Sequence, residues 1–388
     1  MNAGELRVLI LIDSLAAGGA ERSMAAMLPG LVTRNINPVV ACFHRRDEGV
    51  EAELVAQGHE VRHIAEQSLV GRARAVRRIL AEGFDLLHTQ LYEADVAGRL
   101  AAMGSATPVL SSLVNTSYDP ERLRDPNVNR YKLAGVRSID GLTARHLTAR
   151  FHAISRAVEE ASVKALRIDP ARVTVIERGR DPASFEVATP IRRAEEKRAL
   201  GIDPDTPLIV SVGRQEYQKG HRYLLAAAAT FTSRSPRPVL LVAGRTGNAT
   251  RELEALHAEL ELGDQARLLG YREDVPQILA AADLFVFPSL FEGIGGAVIE
   301  AMAAGLAVVA SDIPAMREIL EPGGNALLVP VGDAEALAVA IERLLDDTAT
   351  AARYGQRSRA IFETRFTLDP VVDRMADLYR EVAAGGRT

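Results

Sequence analysis

The sequence predicts an α/β protein made of two Rossmann-like halves. Short β-rich apolar runs alternate with helical patterns, which calls for parallel sheets flanked by helices. The alternation restarts after residue 185. A length of 388 residues suits two or three domains at about 150 residues each.

The first run, Leu6–Ile12, is apolar at every position but one, as a buried parallel strand requires. The loop AAGGAERS and a helical pattern from Glu21 to Val32 follow. Strands are then expected at Val39–Phe43, Val61–Ile64, Leu86–His88, Pro108–Leu113 and Phe151–Ile154. Helices are expected at Glu51–Gln57, Gly71–Ala81 and Asp95–Met103. The second half opens with a charged helix and the turn IDPDTP between Thr189 and Asp205, then strand Pro207–Val212, the loop GRQEYQKG and a helix over Tyr223–Phe231. Further strands are expected at Val239–Ala243, Ala266–Leu269, Leu284–Phe287, Ala307–Ser311 and Ala326–Val329. The tail Leu368–Ala384 has helical spacing. Domains are therefore expected at 1–185 and 186–367, with a terminal helix at 368–388. Two such halves would face each other across a cleft, where open α/β sheets bind ligands.

Composition narrows the function. Forty-six basic against 51 acidic side chains give a net charge of -5, which excludes a general nucleic-acid coat. The charge is uneven: residues 1–185 hold 24 basic and 22 acidic residues, and residues 186–388 hold 22 and 29. The single Cys42 cannot form an internal disulfide, which suits a reducing compartment. No run reaches the ~18 apolar residues that span a bilayer. The opening MNAGELRVLILID is too short an apolar run for a signal peptide. A cytoplasmic enzyme is expected.

Two motifs carry chemistry. In FEGIGGAVIEAMAAG, Glu292 and Glu300 lie eight apart around Gly293, Gly295 and Gly296. Strand, glycine loop and helix N-terminus together make an anion site, because unpaired amides and the helix dipole both favour phosphate. Glu300, in the first helical turns, suits the vicinal hydroxyls of a ribose; Glu292 precedes the helix on the ligand side. In SVGRQEYQKG, Arg214 and Lys219 sit between a strand and a helix, and two cations there match a diphosphate. Either motif alone also reads as ordinary capping or solvated charge.

Together they resemble the retaining GT-B glycosyltransferases of the family-4 type. The likeness covers almost the whole chain: Gly18–Gly19 after the first strand, GRQEYQKG, LLGYRED, ADLFVFPSLFEGIGGAVIEAMAAG and VVASDIPAMREIL. It implies a GT-B fold whose C-terminal helix crosses back to the first domain, and a nucleotide-diphosphate sugar as donor. Arg214 and Lys219 would contact the diphosphate, with Gly18 and Gly19 approaching it from the first domain. Glu292 would contact sugar hydroxyls beside Ile294, Gly295, Gly296 and Ala297. Glu300 would take the ribose, and Tyr271 and Arg272 would frame the base. Arg214, Lys219 and Glu292 carry the catalytic expectation. The implied mechanism is front-face and retaining, with neither metal nor resident cofactor, the nucleotide sugar being a co-substrate.

The chain departs from the family at two places. The loop that often carries a histidine near the donor sugar reads SSLVNTSYD, with Asn115, and the PNGVD-like turn reads ERGRD, Glu177–Asp181. His88 and Asn115 are the acceptor-side expectations, His88 also reading as a structural histidine. Asp203-Pro204-Asp205 resembles a D-x-D metal motif, but precedes its strand in a Pro-flanked turn. On the helix around residues 71–81, Arg74, Arg77 and Arg78 share a ~100° arc opposite Val76, Ile79 and Leu80. This reads as a solvated face or as contact with an anionic membrane or acceptor. Rival readings are a GT-B-shaped nucleotide-sugar epimerase or hydrolase and a non-catalytic carbohydrate-binding protein. A Rossmann dehydrogenase fails, because AAGGAE lacks G-x-G-x-x-G.

Overall fold

The computed structural model describes residues 5–46, 48–231 and 234–385. They form two units, each with its own parallel sheet. The first contains residues up to 119, 129–179 and from 368; the second contains 120–128 and 180–367.

In the first unit the strands are β1 (Leu6–Ser14), β2 (Ile36–His44), β3 (Glu60–His63), β4 (Leu86–Gln90), β5 (Val109–Leu113), β6 (Arg150–Ala153) and β7 (Val173–Val175). Their order is β3-β2-β1-β4-β5-β6-β7. β1 is buried on both faces. Val8, Ile10 and Ile12 pack with Met24 and Leu28 of helix Gly19–Val32, and with Val372, Met375 and Tyr379 of the terminal helix Leu368–Gly385. Leu9 and Leu11 pack on the other side with Val76, Leu80 and Ala97. Burying an apolar side chain of this size contributes roughly 1.5–3 kcal/mol, so the terminal helix is an integral part of this core.

In the second unit the strands are β8 (Leu208–Val212), β9 (Val239–Ala243), β10 (Ala266–Gly270), β11 (Leu284–Phe287), β12 (Val308–Ser311) and β13 (Ala326–Val329). Their order is β10-β9-β8-β11-β12-β13. Ile209, Leu240, Val242, Val286 and Val309 meet Leu224, Leu225, Leu253 and Ile341 from the helices.

The chain enters the second unit at Arg180 rather than at 186. The Arg180 amide donates to Phe366 O at 2.8 Å, and Arg180 bridges Thr367 in parallel. This backbone pairing captures the linker before the expected boundary. The excursion 120–128 also belongs to the second unit; there Asn248 Nδ2 donates to Asp125 Oδ2 at 3.1 Å. Strand β7 and the helices Arg130–Leu147, Arg156–Leu166, Thr250–Glu259, Val275–Ala281, Ala334–Asp346 and Thr348–Arg365, among others, were not expected.

Candidate active site

The order of the second sheet reverses between β8 and β11, which are hydrogen-bonded neighbours. Open parallel sheets bind ligands at such a switch point, outside the carboxyl ends of the strands. The two motif loops leave those two strands. They are also laced together: Leu290 N donates to Gln218 O at 2.8 Å, and Gln218 Nε2 to Phe291 O at 2.7 Å. Gly220 has φ +62°, and a Cβ there would lie 2.1 Å from Pro288 O, so the crossing of the loops requires glycine. Gly295, at φ +74°, caps the helix Gly296–Ala303, leaving the amides of Gly296 and Ala297 at its N-terminus.

The loops bring Lys219 and Glu292 into direct contact: Nζ donates to Oε1. Ser289 Oγ donates to the same oxygen at 3.2 Å. The Lys219 and Glu292 side chains are 18% and 9% exposed, so the pair is largely shielded from solvent. Lys219 Nζ also lies 5.4 Å from the Phe287 ring centroid. Arg214 is more open, with 46% of its side chain exposed and Nη1 3.3 Å from Glu216 Oε1. Ile294 is buried behind the glycines. Arg272 is paired with Asp274, Nε to Oδ1 at 2.7 Å, and this bond holds the Asp274 carboxyl below its usual range.

Glu300 lies one turn into the helix, its Oε1 accepting from Arg180 Nε at 2.8 Å. Three residues here were missed in the sequence: Arg180, Ser289 and His221. Arg180 had a signal, since it stands in the departing ERGRD turn. His221, buried at the start of helix His221–Ala228, is pushed down to about 3 by burial and then by Lys219. It is neutral, so Lys219 and Arg214 are the cations of these loops.

In the first unit, Gly18 caps helix Gly19–Val32. A Cβ on Gly19 would lie 2.8 Å from Arg178 Nη1, and one on Gly18 would lie 2.3 Å from Glu21 Oε2. The glycine pair therefore makes room for this unit's own side chains. Of the two readings of His88, its setting favours the structural one, because the ring is fully buried. Its Nδ1 meets the Tyr379 hydroxyl and its Nε2 meets Ser112 Oγ, both at 2.7 Å. Burial, then His152, pushes it down to about 3. With both ring nitrogens engaged and the ring fully buried, His88 has the bonding of a structural histidine. Asn115 is half-buried, its Oδ1 accepting from Thr116 N at 2.9 Å.

On helix Leu69–Leu80, Arg74, Arg77 and Arg78 are exposed while Val76 and Leu80 are buried. Arg77 is engaged, however. Its Nε donates to Ala101 O at 3.0 Å and its Nη2 to Met103 O, which closes the end of helix Tyr92–Ala102. Asp203 Oδ1 accepts from Asp205 N at 2.9 Å, a turn ahead of β8. Among the described residues no group of three or more His, Cys, Asp or Glu is placed to hold a metal ion, and no helix is long and apolar enough to cross a membrane.

Comparison with known proteins extends the likeness over most of the chain. Residues 17–184 match the family described as Glycosyltransferase Family 4, and residues 192–361 match Glycosyl transferases group 1. The alpha-D-kanosaminyltransferase of Streptomyces kanamyceticus is 32% identical over half of each chain. The alpha-maltose-1-phosphate synthase of Mycobacterium tuberculosis is 30% identical over 78% of this chain and 81% of its own. Anabaena Alr3699/HepE, solved in complex with UDP-glucose, superposes with a TM-score of 0.85 at 24% identity, covering 97% of this chain and 100% of that one. The fold is GT-B.

Proposed function

Because the chain belongs to the group 1 glycosyltransferases, enzymes that transfer sugars, we propose that it moves a sugar from UDP or GDP to a hydroxyl acceptor with retention of anomeric configuration. The acceptor is a glycan, a lipid-linked glycan or a small molecule. The observation that carries this reading is the Lys219–Glu292 contact beside the Gly296 and Ala297 amides, at the switch point of the second sheet. One cation, one carboxylate and a helix N-terminus converge where a diphosphate and its sugar would meet.

Each residue then has a task. Lys219 and Arg214 neutralise the diphosphate, whose leaving oxygen gains charge as the sugar–oxygen bond breaks. Glu292 holds sugar hydroxyls and Glu300 holds the ribose. The backbone of Tyr271 and Arg272 frames the base. The donor's own phosphate oxygen takes the proton of the attacking hydroxyl, which bonds to the anomeric carbon on the face the diphosphate leaves. No protein nucleophile is required, and the leaving group is stabilised by the Lys219 and Arg214 cations and by amide dipoles rather than by a metal. The first unit receives the acceptor. The exposed Arg74 and Arg78 give it reversible contact with an anionic membrane on the cytoplasmic side. HepE, whose fold the chain shares, was solved with UDP-glucose, which supports a nucleotide sugar as donor.

Incubation with UDP- and GDP-sugars and a panel of acceptors tests the reading. A glycoside of unchanged anomeric configuration supports it. Free sugar without a glycoside would favour the hydrolase or epimerase alternative. Binding without turnover would favour a carbohydrate-binding protein.

A further inference from the structure

We infer that Arg180 is the positioning residue for Glu300, presetting that carboxylate for two-point recognition of the donor's ribose. The inference rests on the ribose role proposed for Glu300.

The contact joins distant parts of the sequence. Arg180 comes from the ERGRD turn at the start of the second unit, and Glu300 lies in helix Gly296–Ala303. Arg180 Nε donates to Glu300 Oε1 at 2.8 Å, and the two side chains are only 11% and 13% exposed. Long side chains normally pay rotamer entropy to hold one geometry. Here both ends are fixed beforehand. The Arg180 backbone is pinned by its amide bond to Phe366 O at 2.8 Å and by its bridge to Thr367. Asp181, next in the chain, caps a short turn by accepting from Ala183 N at 2.9 Å. Glu300 is carried by a helix whose Val298, Ile299, Ala301 and Met302 are all buried.

The hydrogen-bond inventory gives the contact its purpose. An ionised carboxylate offers about four lone-pair sites. Among the described residues, Oε1 accepts from Arg180, and no hydrogen bond reaches Oε2. Arg180 thus holds one carboxylate oxygen in place while leaving the other, and part of the first, for donors from outside the protein. Two neighbouring hydroxyls of a ribose are such donors. An unsupported Glu300 could rotate about its terminal torsion, which is broad for glutamate, and would have to be ordered on each binding event. That ordering is the cost that preorganisation removes.

The prediction separates positioning from general support. Wild-type protein is titrated by calorimetry with UDP, 2′-deoxy-UDP and 3′-deoxy-UDP, with the GDP series alongside. A hydroxyl bonded to a charged partner is worth about 10- to 150-fold, so at least one deoxy analogue should bind at least about 10-fold more weakly. Arg180→Ala should reduce that ratio to about threefold or less, while the deoxy analogues themselves bind nearly as in wild type. Arg180→Lys, which keeps a cationic donor, should restore most of the ratio. Arg180→Met, which keeps the length of the side chain but has no donor, gives the alanine readout if the alanine protein does not fold. Glu300→Gln is the control for the underlying reading and should also lose the ratio.

Equal weakening of UDP and both deoxy analogues in Arg180→Ala, with the ratio intact, would reduce Arg180 to structural support and overturn the inference. If Glu300→Gln still lost the ratio in that case, the ribose reading would stand alone. An unchanged ratio in Glu300→Gln, or no binding of either diphosphate to wild type, would overturn both. Tighter UDP binding in Arg180→Ala would make Arg180 a competitor of the ribose and likewise overturn the inference.

Discussion

The Lys219–Glu292 contact makes an unusual prediction, in which removing one partner helps a ligand that removing the other harms. Lys219 Nζ is committed to Glu292 Oε1. A diphosphate must take Lys219 from that carboxylate. Glu292→Gln keeps the shape and the Ser289 neighbour but removes the charge that competes for Lys219. A charge-assisted hydrogen bond contributes about 1.5–3 kcal/mol. Part of that gain is offset by the unpaired ammonium, which is 18% exposed and so only partly solvated. A net effect of about 1 kcal/mol remains, which is roughly fivefold tighter UDP binding. Turnover should nevertheless fall, because Glu292 acts on the sugar, which free UDP lacks. Lys219→Ala removes the phosphate contact itself and should weaken UDP about 10- to 150-fold. Calorimetry with UDP and steady-state transfer on the same preparations would measure both. If Glu292→Gln weakened UDP as much as Lys219→Ala does, the pair would not be a resting-state exchange contact and the division of roles would be refuted.

Transfer should persist in excess EDTA, since the proposed site neutralises the diphosphate with Arg214, Lys219 and helix amides; full loss restored by Mg2+ would return Asp203 and Asp205 to consideration as ligands. Binding to anionic vesicles should fall by about 2 kcal/mol when Arg74 and Arg78 are both changed to Ser and change little in Arg77→Ser, whose donors close a neighbouring helix; pelleting that is equal on neutral and anionic vesicles would make this a solvated face. His88, pushed down to about 3 by burial, should stay neutral to pH 5 in an NMR titration. The unfolded chain takes up that proton near pH 6.5 and the folded one does not, so this histidine's contribution to stability should be lost as pH falls below about 6.5, by up to about 1.4 kcal/mol per pH unit. Asp13, pushed up to about 7 chiefly by burial, acts in the opposite sense, so ring titration is the sharper assay; a His88 pKa near 6.5 would contradict the buried setting.

The donor site was legible in the sequence because its information is local. Arg214 and Lys219 stand five residues apart in one loop, and Glu292 and Glu300 eight apart in one loop and helix. Glycines mark both places where backbone must pass close. The strands were legible for a related reason: β1 and β8 are largely buried and read as nearly continuous apolar runs. Helix Arg130–Leu147 was not, because much of its early surface is exposed, Tyr131 and Ile139 included, so no apolar stripe announces it.

What escaped depends on contacts between residues far apart in the chain. His88 could be read as an acceptor ligand or as a structural group until Tyr379, 291 residues away, was seen to occupy its Nδ1. The ERGRD turn reads as a mere departure from PNGVD until Arg180 is placed against Glu300, 120 residues on. A changed turn alters a distant site only when something fixes the turn. Here Phe366 and Thr367 do so, at the point where the chain leaves the second unit. The linker is therefore tied by backbone to the end of the second unit and by side chain to the proposed ribose carboxylate. Substituting Arg180 leaves the backbone tie in place, because an alanine there retains the amide that bonds Phe366.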